Sequence, residues 1–388
     1  MPQDFDSPKR TEGLVRPLAC RSNIASFIVM DVMRAAAEAE AAGETVVHME
    51  VGQPGTPAPN AAIEAVRSSV QTDRLGYTLA TGNPELRRAL AAHYQRQYGL
   101  EIAPERFVIT SGSSAGFVLA YLMMFEPGDS IALPSPGYPC YRQVARALDV
   151  KTHLIETGPA DRWMPTVDAL GAAFDAGASG FMVASPANPT GTMLTPDRLE
   201  ALVDLAISRK RWFISDEIYH NLSYGVEEHT ALAYSDQVVV VNSFSKYFSM
   251  TGWRVGWMVL PDAMVPAAER LTQNLYISAP AISQVAAIAA LSDAARDELE
   301  ANKRRYEANR QILLDGLPKV GFDKIVPADG AFYLYVDVGH LTEDSLTFAQ
   351  AMLAETGVAA TPGLDFDGTR GGHFIRFSYA GTESDMHA

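Results

Sequence analysis

Apolar residues recur along this chain in two alternating rhythms. Short unbroken runs at 107–110, 130–133, 152–155, 181–184, 212–215 and 238–241 are polar only at their ends, as strands buried on both faces are. Helix-length segments, such as 117–125, 138–147 and 196–210, separate most of them. Strand–helix alternation of this kind predicts a largely parallel sheet covered on both faces. Upstream, 24–42 has an alanine-rich helical period and stops at Gly43. Residues 45–51 read as a short strand that breaks at Gly52, and 60–70 and 84–98 read as helices, the second closing at Gly99. Downstream, 256–260 is a further strand and 286–314 is helical. Strands at 330–336 and 373–377 then surround a helix at 345–355. The expectation is an α/β fold: a large domain with a mostly parallel sheet sandwiched by helices, plus a smaller α+β domain. The spans are 1–45 for an N-terminal arm and part of the small domain, 46–285 for the large domain and 286–388 for the small one.

In such sheets ligands bind beyond the carboxyl ends of the strands, and the chemistry collects there. Lys246 follows the run Val238–Val241 and the polar Asn242, Ser243 and Ser245. An amine held in a partly desolvated pocket shifts its pKa down and can form a Schiff base with a carbonyl compound. Asp216 ends another run; a carboxylate there can cap the next turn or hold a proton on a heteroaromatic nitrogen. Tyr219, three residues on, can face the same ligand. Asn188 lies in the turn-rich Ser-Pro-Ala-Asn-Pro-Thr-Gly, a loop rigid enough to aim its amide. The small residues 111–116 open a helix whose N–H groups can face a phosphate, and Arg254, Ser243 and Ser245 supply a side-chain cradle for it. Tyr138 and Tyr77 can stack on a flat ring or be core residues. Arg376 interrupts an apolar strand and needs an anion, either a substrate carboxylate or a structural partner.

Composition narrows the classes. The 388 residues carry 31 basic and 46 acidic side chains, a net charge of −15, which disfavours nucleic acid and anionic membranes as partners. Any anionic ligand must be held by local groups. Cys20 and Cys140 are the only cysteines, so a disulfide framework is excluded and a reducing compartment expected. No apolar run approaches a membrane span, and 1–16 lacks the apolar core of a signal peptide, so the expected location is the cytoplasm. No histidine pair has zinc-type spacing, and Cys140 reads as a packed small hydrophobe.

Order and spacing join these pieces. Asn188 to Asp216 is 28 residues, Asp216 to Lys246 is 30 and Lys246 to Arg254 is 8. With Ser-x-Ser-Lys, Asn188-Pro189-Thr190-Gly191 and Tyr77 ahead of Gly82-Asn83-Pro84, the chain resembles the class I/II aminotransferases among the fold-type I pyridoxal-phosphate enzymes. The resemblance runs from the Gly52 loop to Arg376. It implies pyridoxal 5′-phosphate held by Lys246 as a Schiff base, with Lys246 then moving the α-proton of an L-amino acid. It implies that Asp216 keeps the ring nitrogen protonated, that Asn188 and Tyr219 bind the phenolic oxygen, and that Tyr138 stacks on the ring. Ser113, Ser114, Ser243, Ser245 and Arg254 would bind the phosphate, and Arg376 with the Gly52 backbone the substrate carboxylate. Tyr77 would reach a phosphate across a homodimer interface. The reaction implied is transfer of the amino group to a 2-oxo acid.

Two other readings share parts of this pattern. A lyase of the same fold would use the same Lys, Asp and Arg. A non-catalytic ligand sensor would carry a DNA-binding module ahead of the domain, and only a short arm precedes it here. For a second, distal carboxylate the candidate cations are Arg16, Arg21 and Arg142, whereas Phe27 and Ile28 lean toward neutral or apolar substrates. The chain ends soon after the Arg376 strand, so the expectation is either a shortened small domain or a truncated chain.

Overall fold

A computed structural model describes residues 15–16 and 18–388; the polar start of the chain, up to residue 14, lies outside them. Thirteen strands occur among the described residues. In chain order the first eight are β1 Val47–His48, β2 Phe107–Thr110, β3 Ser130–Ser135, β4 Lys151–Glu156, β5 Gly180–Ala184, β6 Trp212–Asp216, β7 Val239–Ser243 and β8 Gly256–Val259. The remaining five are β9 Lys324–Ile325, β10 Tyr333–Asp337, β11 Val358–Ala359, β12 Thr361–Pro362 and β13 Phe374–Ser378.

A seven-stranded sheet in the order β2-β8-β7-β6-β5-β3-β4 forms the large lobe. Its pairings are parallel except those of β8, which runs antiparallel to β2 and β7. Every residue of β7 is buried. Each buried valine there contributes roughly 1.5–3 kcal/mol against exposure, which explains why this strand reads so clearly as apolar text. The carboxyl ends of the parallel strands therefore gather at one edge. Because β8 is reversed, it brings its beginning to that edge, and Ser243 pairs with Gly256. Arg254, just ahead of β8, thereby arrives beside Lys246 instead of at the far side of the sheet.

A second, antiparallel sheet, β12-β13-β10-β9, carries Arg376 on its β13 strand. The expected strand near 45–51 shortens to β1, which pairs in parallel with β11 next to this smaller sheet. The helical text at 286–314 is two helices, Ala281–Ala290 and Asp293–Gly316, broken where Ser292 starts the second. Early in the chain, the helix Ile28–Ala41 begins four residues later than its apolar period suggests. At the other end, Glu383–His387 forms a short helix with a capping box from Thr382 and Asp385, so the chain does turn into a terminal helix past β13.

Candidate active site

A cavity of about 310 Å³ opens at the strand-end edge, between the two sheets and the Ile28–Ala41 helix. Of the expected site residues, Gly52, Ser113, Ser114, Tyr138, Asn188, Asp216, Tyr219, Ser245, Lys246, Arg254 and Arg376 all line it. Ser243 stands one layer behind: its hydroxyl is 2.8 Å from that of Ser245 and accepts the Ser245 N–H at 3.1 Å. It is not among the residues that line the cavity. Tyr77 is 85% exposed on a separate surface depression with Arg74 and Ser278, away from this cavity in the single chain. Of the three arginines considered for a distal carboxylate, Arg142 donates to the Asp365 carbonyl, and none of the three lines the cavity.

Lys246 lies at the turn after β7, and its Nζ donates to the Gly52 carbonyl at 2.5 Å. Burial, followed by the nearby Arg376 and Arg254 charges, brings its amine down to about 7; Asp216 opposes that shift. Asp216, the last residue of β6, is 2% exposed. Burial pushes its carboxyl up to about 6, against two hydrogen bonds that favour the ionised form. Those bonds come from the Tyr141 hydroxyl at 2.5 Å to Oδ2 and from the Ile218 N–H at 3.1 Å to Oδ1. Tyr141 did not stand out in the sequence, although it follows Tyr138 by three residues at the start of the helix Pro139–Ala147 and so shares its face.

Arg376 is held from several sides. Its Nη1 donates to the Asn188 amide oxygen at 2.9 Å, and its Nη2 donates to the Glu50 carbonyl at 2.5 Å and the Thr361 hydroxyl at 3.2 Å. Its guanidinium lies 4.3 Å from the Tyr333 ring centroid and 4.8 Å from that of Phe366. Nε is buried with no hydrogen-bond partner, so the group retains donor capacity that an anion can take. Tyr333 also shares a 2.7 Å hydrogen bond with the Tyr219 hydroxyl. A Cβ built on Gly52 would fall 1.8 Å from the Tyr333 hydroxyl, so only glycine fits between that ring and the lysine.

At the other end of the cavity, Ser113 and Ser114 open the helix Ser113–Met124, whose buried N-terminus directs N–H groups and its dipole inward. Arg254 reaches the same corner: a Cβ on Gly112 would meet its Nη2 at 2.3 Å. Arg254 itself holds a left-handed φ of 52°, which costs about 1–3 kcal/mol in a non-glycine residue and is tolerated where geometry at a site demands it. The cavity thus sets three cations against one carboxylate within a strongly acidic chain. Cys140 lies beside it with its thiol pushed up to about 11 by burial, which keeps it unreactive.

This fold, with a buried lysine between a desolvated carboxylate and a phosphate-type corner, defines a pyridoxal-phosphate enzyme of fold type I. The chain belongs to the class I and II aminotransferases, whose family model matches residues 44–388. It is 46% identical over 371 residues to the valine–pyruvate aminotransferase of Mycobacterium tuberculosis, covering 95% of each chain. The crystal structure of an aminotransferase from Mycobacterium tuberculosis superposes with a TM-score of 0.94 at 45% identity over 96% of each chain. The aspartate aminotransferase from Thermus thermophilus with maleate superposes at 0.89, with 30% identity over 96% of this chain and 97% of that one. The chain is accordingly an aminotransferase that uses pyridoxal phosphate to pass an amino group from an amino acid to a 2-oxo acid.

The residues present fit that cofactor. A carboxylate that burial makes costly to ionise is what a protonated ring nitrogen offsets. An amine poised near neutrality suits attack on an aldehyde, and the Arg254–Ser113–Ser114–Ser245 corner suits a phosphate.

Proposed function

We propose that the enzyme takes neutral, aliphatic L-amino acids as donors, with a small 2-oxo acid such as pyruvate as acceptor. The observation that carries this is the apolar part of the cavity's lining. Phe27, Val29, Met30, Met33, Val51 and Ile218 belong to it, and the cavity's cations are Lys246, Arg254 and Arg376. With Lys246 assigned to the cofactor, Arg254 to the phosphate corner and Arg376 to the α-carboxylate, no cation remains among the described lining residues to meet a second carboxylate. An acidic side chain would be desolvated there without a partner, which costs several kcal/mol. The name of the M. tuberculosis relative supports the same choice.

Within this reading the bound cofactor supplies an electron sink that stabilises the deprotonated α-carbon. Lys246 would hold the cofactor and would move the α-proton; its lowered pKa keeps part of it neutral near pH 7, where a base is needed. Asp216, fixed by Tyr141 and Ile218, would hold the proton on the ring nitrogen. Asn188 and Tyr219 would hold the phenolic oxygen, and Tyr138 would pack on the ring. Arg376, clamped by Asn188, Glu50 and Thr361, orients the substrate carboxylate and so sets which face of the α-carbon meets Lys246. Ser243 acts through Ser245 at the phosphate. The protein would work as a cytoplasmic homodimer, Tyr77 reaching the partner's phosphate from its exposed position.

The test is a half-reaction screen of the 20 amino acids, following the cofactor's visible spectrum. Valine, alanine and their aliphatic neighbours should convert fastest and aspartate and glutamate slowest. Fast turnover of aspartate would overturn the substrate assignment. Ammonia release without a 2-oxo acid acceptor would point to lyase side chemistry.

A further inference from the structure

We propose that Asp365 is a positioning residue for side-chain selection: its carboxylate clamps the helix that walls the cavity to the loop that backs Arg376. The inference rests on the substrate reading above and extends it to a residue outside the cavity.

The helix Ile28–Ala41 has Phe27 at its N-cap position and no side-chain cap of its own. Its first N–H groups would be orphaned without an acceptor. Asp365 supplies one from 337 residues away: Oδ1 accepts the Ile28 N–H and Oδ2 the Val29 N–H, both at 3.2 Å. This long-range cap explains why the helix starts at Ile28 and not at Ile24. The capped turn is the one that places Val29, Met30 and Met33 in the cavity wall, with Phe27 edge-on to Tyr138 at 5.8 Å.

Asp365 ends the short turn Gly363–Asp365, between β12 and β13. The next residue, Phe366, is the ring beneath Arg376. The same two residues also grip the large lobe. The Asp365 carbonyl accepts from Arg142, and the Phe366 carbonyl accepts the Gly137 N–H at 3.1 Å. One dipeptide step therefore joins the side-chain wall, the carboxylate clamp and the helix behind Tyr138. The distance between the α-carboxylate site and the apolar wall becomes a fixed gauge, and that gauge decides which side-chain length fits.

The experiment compares wild-type, Asp365→Asn and Asp365→Ala holoenzymes on a series of donors of increasing length: alanine, 2-aminobutyrate and valine. Asp365→Ala removes both acceptor atoms. The ratio of kcat/KM between the favoured donor and the poorest should fall about tenfold, mostly through KM, with cofactor content unchanged. Asp365→Asn keeps one acceptor oxygen and should fall between. An unchanged ratio overturns the proposal, as does a parallel loss of cofactor and kcat at constant ratio, which marks general damage. Should Asp365→Ala not fold, amide exchange in Asp365→Asn decides: faster exchange confined to residues 28–33 supports the clamp, and unaltered exchange there overturns it. A wild-type preference for acidic donors would sink the substrate reading alone, leaving the clamp to the same exchange measurement.

Discussion

The two ends of the cavity are built on different principles. The cofactor end stands on strand tips: Asp216 closes β6, Lys246 follows β7, Arg254 precedes β8 and Ser113 opens a helix after β2. Each position lies at or within three residues of a strand end of one sheet, so the sheet's backbone pairing gathers them. The substrate end is assembled from segments distant in sequence. Arg376 on β13 depends on Asn188, Glu50, Thr361, Tyr333 and Phe366, and the wall facing it comes from a helix near the start of the chain. The first arrangement suits chemistry that must be the same for every substrate, and the second suits a pocket whose shape is adjusted through many small contacts.

That contrast can be broken most severely at Lys246. In Lys246→Ala, single-turnover rates should fall by about 10²–10⁴-fold or more for all donors alike, because the proposed role of the lost group is on the α-proton and not on the side chain. The visible spectrum of the lysine-bound cofactor should vanish with it. A loss that varied strongly with the donor would mean that the two ends are not separable. At the substrate end, Arg376→Lys keeps the charge but loses the planar fork. The KM for every donor and 2-oxo acid should rise by roughly 10²-fold while kcat falls less, since the shortened amine cannot serve Asn188, the Glu50 carbonyl and a carboxylate together. A mutant with unaltered KM would remove Arg376 from carboxylate binding.

The same contrast governs what could be read from the residues alone. Valine-rich runs, their polar ends and the spacing of Asn188, Asp216, Lys246 and Arg254 are local signals, and they place the cofactor end and the parallel sheet. Tyr141 was within reach, one helical turn from Tyr138, but its link to Asp216 bridges 75 residues and leaves no trace in either neighbourhood. Tyr333 lies in a run legible as a strand, yet nothing marks its hydroxyl as the partner of Tyr219. Asp365 is illegible in principle: a carboxylate between a leucine and a phenylalanine acquires meaning only when a helix without its own cap arrives beside it. Ser243 has the right type and spacing and stands one layer behind the lining residues, hydrogen-bonded to Ser245.

The smallest expected effect tests how the rigid end is tuned. Burial holds the Asp216 carboxyl up at about 6, and the Tyr141 hydroxyl bond opposes that rise by stabilising the ionised form. Removing the hydroxyl in Tyr141→Phe takes away one of two bonds to the carboxylate and must raise the carboxyl further. The ionised form is the one that can hold a protonated ring nitrogen, so the sign is fixed. Above its pKa the group is charged and cofactor capture is strong, and capture weakens as pH falls through that value. For wild-type protein stripped of cofactor, the Asp216 contribution to affinity should be lost as pH drops through about 6, below the Lys246 step at about 7 that both proteins share. In Tyr141→Phe the decline should begin at higher pH, with affinity near pH 7 lowered by about tenfold, as expected for one hydrogen bond to a charged group. Titrating pyridoxal phosphate into both stripped proteins across pH 5 to about 8, a window centred on the ordinary range of a perturbed carboxyl, measures the displacement directly. Coincident curves would show that Ile218 and the sheet alone set Asp216. The rigid end would then owe nothing to the helix Pro139–Ala147 that follows Tyr138.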